Sequence, residues 1–140
     1  MFTYQYPRAA LTVDAIVYVK KEDSYSVLLI ERGKEPFKNK WALPGGFVEM
    51  DETLEDACKR ELFEETELRA DKMTQFKTYD AIYRDPRHRT ISVVYSAQLN
   101  KMQPVKGGDD ASQANWFPVS GLPELAFDHK QILEEFFALL

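Results

Sequence analysis

The sequence predicts an α/β fold, and three observations predict it. Runs of β-branched and apolar residues alternate with two segments of helical period. No repeat, linker or low-complexity stretch interrupts them. The 140 residues suit a single domain, 1–140, large enough for one sizeable core.

The elements follow in order. Leu11 to Lys20 mixes β-branched and alternating residues, Ser26 to Glu31 is a short apolar run, and both read as strands around a turn at Glu22 to Ser24. Lys34 to Lys40 is a polar loop. Trp41-Ala-Leu-Pro-Gly-Gly46 reads as a short apolar strand broken by a turn whose glycines let backbone approach a ligand closely. Thr53 can cap the helix that follows, with Asp51 and Glu52 near its positive end. Gln75 to Tyr83 and Thr90 to Leu99 read as antiparallel strands joined by the charged turn Arg84 to Arg89. A glycine- and aspartate-rich loop, Gly107 to Gln113, precedes a short strand around Asn115 to Val119. The last helix, Asp128 to Leu140, repeats Ile132, Leu133, Phe136, Phe137 and Leu140 along an apolar face expected to enter the core.

Chemistry concentrates in the first helix. At about 100° per residue, Leu54, Ala57 and Cys58 share one sector, and Glu61, Glu64 and Glu65 continue it one to two turns later. Glu55, Asp56, Lys59 and Thr66 are expected on the opposite, solvated side. Three like charges at this spacing repel, and apolar neighbours dehydrate them, so they call for a cation or raised pKa values. Hard divalent cations with oxygen ligands, Mg²⁺ or Mn²⁺, fit best. Taken alone, the glutamates suit a solvated acidic face equally well.

Their surroundings tip the balance. Gly46 is followed by five residues and Glu52, by seven more and Arg60-Glu61-Leu62, and by one more and Glu64-Glu65-Thr66. In order and spacing this resembles the loop–helix–loop signature of the Nudix hydrolase family. The resemblance implies an α/β/α sandwich with a mixed β-sheet between helices. It also implies a hydrolase that uses Mg²⁺ or Mn²⁺ to neutralise and orient a pyrophosphate linkage for attack. The family's metal ligands map to Glu61, Glu64, Glu65 and the Gly46 carbonyl. Arg60 is expected to pair with a signature carboxylate, and Glu52 to be structural. Glu61, Asp109 and Asp110 all remain candidates for the general base. Glu67 stands where the signature has glycine; there it either strains a left-handed helix stop or lets the helix run one residue further.

Further stretches, Trp41 to Glu49, Arg84 to Arg89, Asn115 to Pro118 and Leu122 to His129, look like the ADP-ribose pyrophosphatase branch of that family. Arg32, Arg84, Arg87 and Arg89 could supply the fixed positive charge a diphosphate needs, although each singly is expected at the solvent. Phe37, Trp41 and Phe47 are placed to stack on a base, with core packing the stronger expectation for Trp41 and Phe47. His88 and His129 are expected to be structural, and Asp128 to cap the last helix, with phosphate or ribose contact second.

Two other readings stand beside hydrolysis of ADP-ribose to AMP and ribose 5-phosphate. One is a Nudix-like module that senses ADP-ribose or a related nucleotide without cleaving it; the other is a nucleoside triphosphate pyrophosphohydrolase. Regulators of the first kind carry an additional DNA-binding domain, and this sequence ends at Leu140, which favours the enzyme. A net charge of −5 without a basic tail or stripe argues against nucleic acid as partner. No apolar run is long enough for a bilayer and the first residues lack a leader pattern, so a cytoplasmic protein without membrane contact is expected. The one cysteine, Cys58, reads as a packed thiol. The family analogy extends to a homodimer.

Overall fold

The computed structural model describes residues 1–140. In chain order the strands are β1 (Ala10–Lys21), β2 (Ser24–Arg32), β3 (Trp41–Ala42), β4 (Gly45–Phe47), β5 (Thr74–Tyr79), β6 (Thr90–Leu99) and β7 (Ala111–Pro118). Helix α1 (Leu54–Thr66) lies between β4 and β5, and α2 (His129–Phe137) ends the chain. The sheet runs β3-β2-β1-β6-β5, with β4 on β1 and β7 on β2. Only β1 and β6 are parallel, so the sheet is mixed.

Strand β1 explains the layering. It is buried from Thr12 to Val19, as a central strand covered on both faces must be. Its odd residues Val13, Ala15 and Val17 pack with Ala57, Cys58 and Leu62 of α1. Its even residues Ile16 and Tyr18 pack with Ile132, Leu133 and Phe136 of α2. The period of two thus sends alternate side chains to opposite helices and produces the expected sandwich.

One edge of β1 changes partner along its length. Tyr18 to Lys21 pair with β2, whereas Thr12, Val13 and Asp14 pair with Phe47, Gly46 and Gly45. The sheet therefore splits where β2 diverges, and the cleft that opens is floored by Asp14, walled by α1 and closed by the turn before α2.

Several expected boundaries shift, each for a visible reason. β5 stops at Tyr79 and not at Tyr83, because the chain turns at Ala81, whose carbonyl accepts from Arg84 N, leaving Ile82 and Tyr83 exposed. β7 begins at Ala111, inside the expected glycine-aspartate loop, because Ala111 to Gln113 find partners on Arg32 and Glu31 across a bulge. α2 ends at Phe137, and Leu139 and Leu140 are exposed. Thr66 is fully buried and not solvated: its hydroxyl donates to Leu62 O and accepts from Leu68 N, and its carbonyl takes the amide of Lys106. Thr53 caps α1 as expected, accepting from Asp56 N at 3.2 Å. At the other end Glu67 takes the left-handed conformation, φ 61°, and donates its amide to Phe63 O. The helix therefore stops where a glycine would stop it, at a steric cost on the order of 1 kcal/mol. No helix is long and apolar enough to cross a membrane.

Candidate active site

The cleft encloses a cavity of about 430 Å³. Its acidic wall is the second half of α1. Glu65 lies 6% exposed and accepts from Gly45 N at 2.7 Å, yet burial raises its pKa well above the usual carboxylate range. Burial also raises Glu61, opposed by the neighbouring Arg60 guanidinium. Arg60 gathers this wall together. Its Nε and Nη2 grip Glu52 at 3.0 and 2.6 Å, its Nη1 donates to Glu61 at 2.8 Å and to Glu64 at 3.1 Å, and Nη2 reaches Phe47 O at 3.1 Å. Glu52 is thereby a structural carboxylate, and one cation is shared among several anions.

Glycine is required at Gly45, and at Gly46 it lets the backbone lie directly against Glu61. A Cβ on Gly46 would stand 2.6 Å from the Glu61 carboxyl carbon, and one on Gly45 would collide with the Val13 carbonyl and with Asp14 Oδ1. The wall suits a hard divalent cation in donor chemistry: all-oxygen ligands, surplus negative charge, and a backbone with no side chain between it and the carboxylates. Glu61, Glu64 and Glu65 do not form a ready-made cage, since two of them turn to Arg60 and the third to Gly45. Asp109 and Asp110 line the same cavity; a Cβ on Gly108 would meet Glu64 O at 2.7 Å, so this loop rests on the end of α1.

The opposite wall is polar but internally paired. Arg84, expected at the solvent, has a side chain only 4% exposed; it bonds Asp128 through Nε and Nη2 at 2.9 and 2.6 Å and donates from Nη1 to Ser92 Oγ at 2.6 Å. Asp128 precedes α2 but makes no cap bond, because both its oxygens are taken by Arg84. His129 is structural as expected. Its Nδ1 accepts from Leu43 N at 3.0 Å, which leaves the ring proton on Nε2, 3.8 Å from Asp14 Oδ1. Burial lowers its pKa to about 4, and it stays neutral. Burial raises Asp14 to about 7, partly offset by Arg84.

Of the other expected arginines, Arg32 and Arg87 line the cavity and Arg89 does not. Arg89 points away, donating to the carbonyls of Asp80 and Ala81 at the end of β5. Phe47 is 43% exposed at the cavity rim beside Arg87, not in the core. Trp41 packs on Phe117, and Phe37 on Phe127. His88 bonds Thr90. Cys58 is a packed thiol whose pKa burial raises. Sequence reasoning missed Asp14, Thr12, Ser92 and Phe127. Asp14 carried a signal, a lone charge inside an apolar run, and Phe127 lay within the Leu122 to His129 stretch; Thr12 and Ser92 carried none.

The family model for the NUDIX domain matches residues 9–139. The chain belongs to the NUDIX family. It is 41% identical to an ADP-ribose pyrophosphatase of Methanocaldococcus jannaschii over 131 residues, 94% of this chain and 75% of that enzyme. It is 32% identical to the ADPR responsive transcriptional repressor NtrR of Acinetobacter baylyi, over 96% of this chain and 56% of the repressor. Among solved structures, the NUDIX domain of Shewanella oneidensis NrtR complexed with ADP ribose superposes with a TM-score of 0.88 at 32% identity, covering 95% of this NUDIX chain and 89% of that one.

Proposed function

We propose that this NUDIX protein is a divalent-metal-dependent hydrolase that cleaves the pyrophosphate bond of ADP-ribose to AMP and ribose 5-phosphate. The observation that carries the reading is the charge arrangement of the cavity. Glu61, Glu64 and Glu65 with one shared arginine face Arg32 and Arg87 across a space sized for a nucleotide derivative. The relatives named above, one a hydrolase of ADP-ribose and one solved with ADP-ribose bound, support the choice of substrate.

Glu61, Glu64, Glu65 and the Gly46 carbonyl would hold Mg²⁺ or Mn²⁺, which supplies charge neutralisation and orientation of the diphosphate. The chain's own residues do the rest. Arg60 keeps Glu61 and Glu64 in place, Gly45 N orients Glu65, and Arg32 and Arg87 offer guanidinium donors to phosphate oxygens. Glu61, Asp109 and Asp110 border the same space and are the candidates to take the proton of the attacking water.

The repressor relative favours a second reading, a nucleotide-sensing domain that binds without turnover. One experiment separates the two: incubation with Mg²⁺ or Mn²⁺ and ADP-ribose, other nucleoside diphosphate sugars, dinucleoside polyphosphates and nucleoside triphosphates. Release of AMP and ribose 5-phosphate is expected. Tight binding without products would select the sensor, and pyrophosphate release from a triphosphate would move the substrate class.

A further inference from the structure

Phe127 lines the cavity, and its backbone is unusual. It sits in the left-handed region at φ 52°, where a bulky side chain is a genuine outlier. Its partner Phe37 is also left-handed, at φ 62°, and the two rings meet edge-on with centroids 4.8 Å apart. Two strained aromatics from separate loops thus brace one another at one end of the cavity. Strain of this kind costs about 1–3 kcal/mol per residue and persists only where the surroundings enforce it, as at active sites, ligand clamps and switch regions.

The Phe127 ring also organises charge. The Arg32 guanidinium lies over it at 5.0 Å and that of Arg87 at 5.8 Å. Neither arginine has a carboxylate of the acidic wall as its partner: Arg32 donates Nε to Pro36 O, and Arg87 is held by Asp85. Burial and the neighbouring Arg87 both disfavour the charged form of Arg32. Glu65, Asp85 and Asp110 offset part of that repulsion on Arg32, and the Phe127 ring offers both guanidiniums a shared π face.

We infer that Phe127 is a positioning residue, whose ring sets the spacing of Arg32 and Arg87 so that their guanidiniums grip the two phosphates of a diphosphate. The inference rests on the reading of Arg32 and Arg87 as substrate-binding residues and deepens it. Phe127 acts through the arginines, so its effect should be the same for any ligand with a diphosphate, whatever is attached.

Calorimetric binding in EDTA tests this without turnover, with ADP-ribose, ADP and inorganic pyrophosphate as probes. Two cation–π contacts correspond to about tenfold in affinity. Phe127→Leu should therefore weaken all three probes by that factor, while Phe127→Tyr, which keeps the ring, stays within about twofold. In an Arg32→Ala, Arg87→Ala background, Phe127→Leu should have no further effect, which a merely structural role would not produce. Wild-type affinity for all probes in Phe127→Leu overturns the inference. So does a loss confined to ADP-ribose, which would mean that the ring contacts sugar or base directly. If wild-type protein binds ADP and pyrophosphate but not ADP-ribose, the substrate reading fails while Phe127 is still judged on those two ligands. Binding of no diphosphate in EDTA would overturn the inference, because guanidiniums set to grip phosphates should do so without metal, whereas the hydrolase reading is judged by the Mg²⁺ assay above.

Discussion

The two walls of the cavity handle charge in opposite ways. On α1, Arg60 is shared among Glu52, Glu61 and Glu64, and Glu65 has only a backbone amide, so negative charge is left over. Across the cleft, Arg84 and Asp128 neutralise one another in two hydrogen bonds, His129 is neutral, and Thr12, Ser92 and Arg84 satisfy each other's polar atoms. A wall with surplus charge is suited to binding something that brings the opposite charge. A wall that closes on itself is suited to holding shape. Substitutions on α1 should therefore cost chemistry, and substitutions in the Arg84–Asp128 network opposite should cost stability.

The largest effects belong to the acidic wall. Glu64→Gln and Glu65→Gln each remove a charge that an amide cannot replace, and several kcal/mol of lost electrostatic stabilisation corresponds to roughly a thousandfold or more in turnover with Mg²⁺. Circular dichroism and thermal melts should show the fold intact. Full activity in either variant would take that residue out of the proposed ligand set. Wild-type protein should also melt higher in excess Mg²⁺ than in EDTA, since a cation that binds only the folded site stabilises it by mass action.

The opposite wall should respond in the other currency. Arg84→Ala or Asp128→Ala leaves a buried charge without its partner, a loss of about 3–5 kcal/mol and roughly 10–20 °C in melting temperature. Replacing both, Arg84→Met with Asp128→Leu, should recover most of that loss. If the single variants melt like wild type while the double variant does not, the wall is not the closed unit described here.

The contrast also explains what could be read from residues alone. Charge surplus on one helix is a local pattern: Glu61, Glu64 and Glu65 lie within five residues, and their spacing fixes their common face whatever the rest of the chain does. The alternation in β1 and the apolar face of α2 were legible for the same reason. The paired wall is assembled from residues far apart in sequence. Arg84 reaches Asp128 across 44 positions and Thr12 reaches Ser92 across 80, so no window along the chain contains both partners. Arg84 looked like one of several surface arginines, and Asp128 like a helix cap, because what distinguishes them is tertiary. Thr66 was misplaced for a related reason, since the loop that covers it arrives from Lys106.

Asp14 sits where the walls meet and gives a smaller, pH-dependent effect. Its pKa is raised by burial to about 7 from an ordinary value of 3.8, so between those values the folded chain keeps a proton that the unfolded chain releases. Its contribution is fully present below the lower value and lost as pH rises through the upper one. His129 has the opposite sign: lowered from 6.5 to about 4, it contributes above 6.5 and the contribution is lost as pH falls towards 4. Asp14→Asn should therefore raise the melting temperature of metal-free protein by several degrees more at pH 8 than at pH 5, and leave the acid-side loss due to His129 in view. An equal change at both pH values would mean that Asp14 titrates normally.

The finest test compares two arginines from one turn. Arg87 and Arg89 are two residues apart, equally charged, and indistinguishable by any argument from sequence. Arg87 is directed by Asp85 over the rings of Phe47 and Phe127, inside the cavity; Arg89 is spent on the carbonyls of Asp80 and Ala81, outside it. Arg87→Ala removes a charge-assisted phosphate contact and should raise KM about tenfold with kcat little changed. Arg89→Ala should leave both within about twofold and show itself only as a small drop in melting temperature, from fraying where β5 ends. Matching KM effects from the two variants would mean that substrate is drawn in by the turn's overall charge, and that the direction of each guanidinium does not matter.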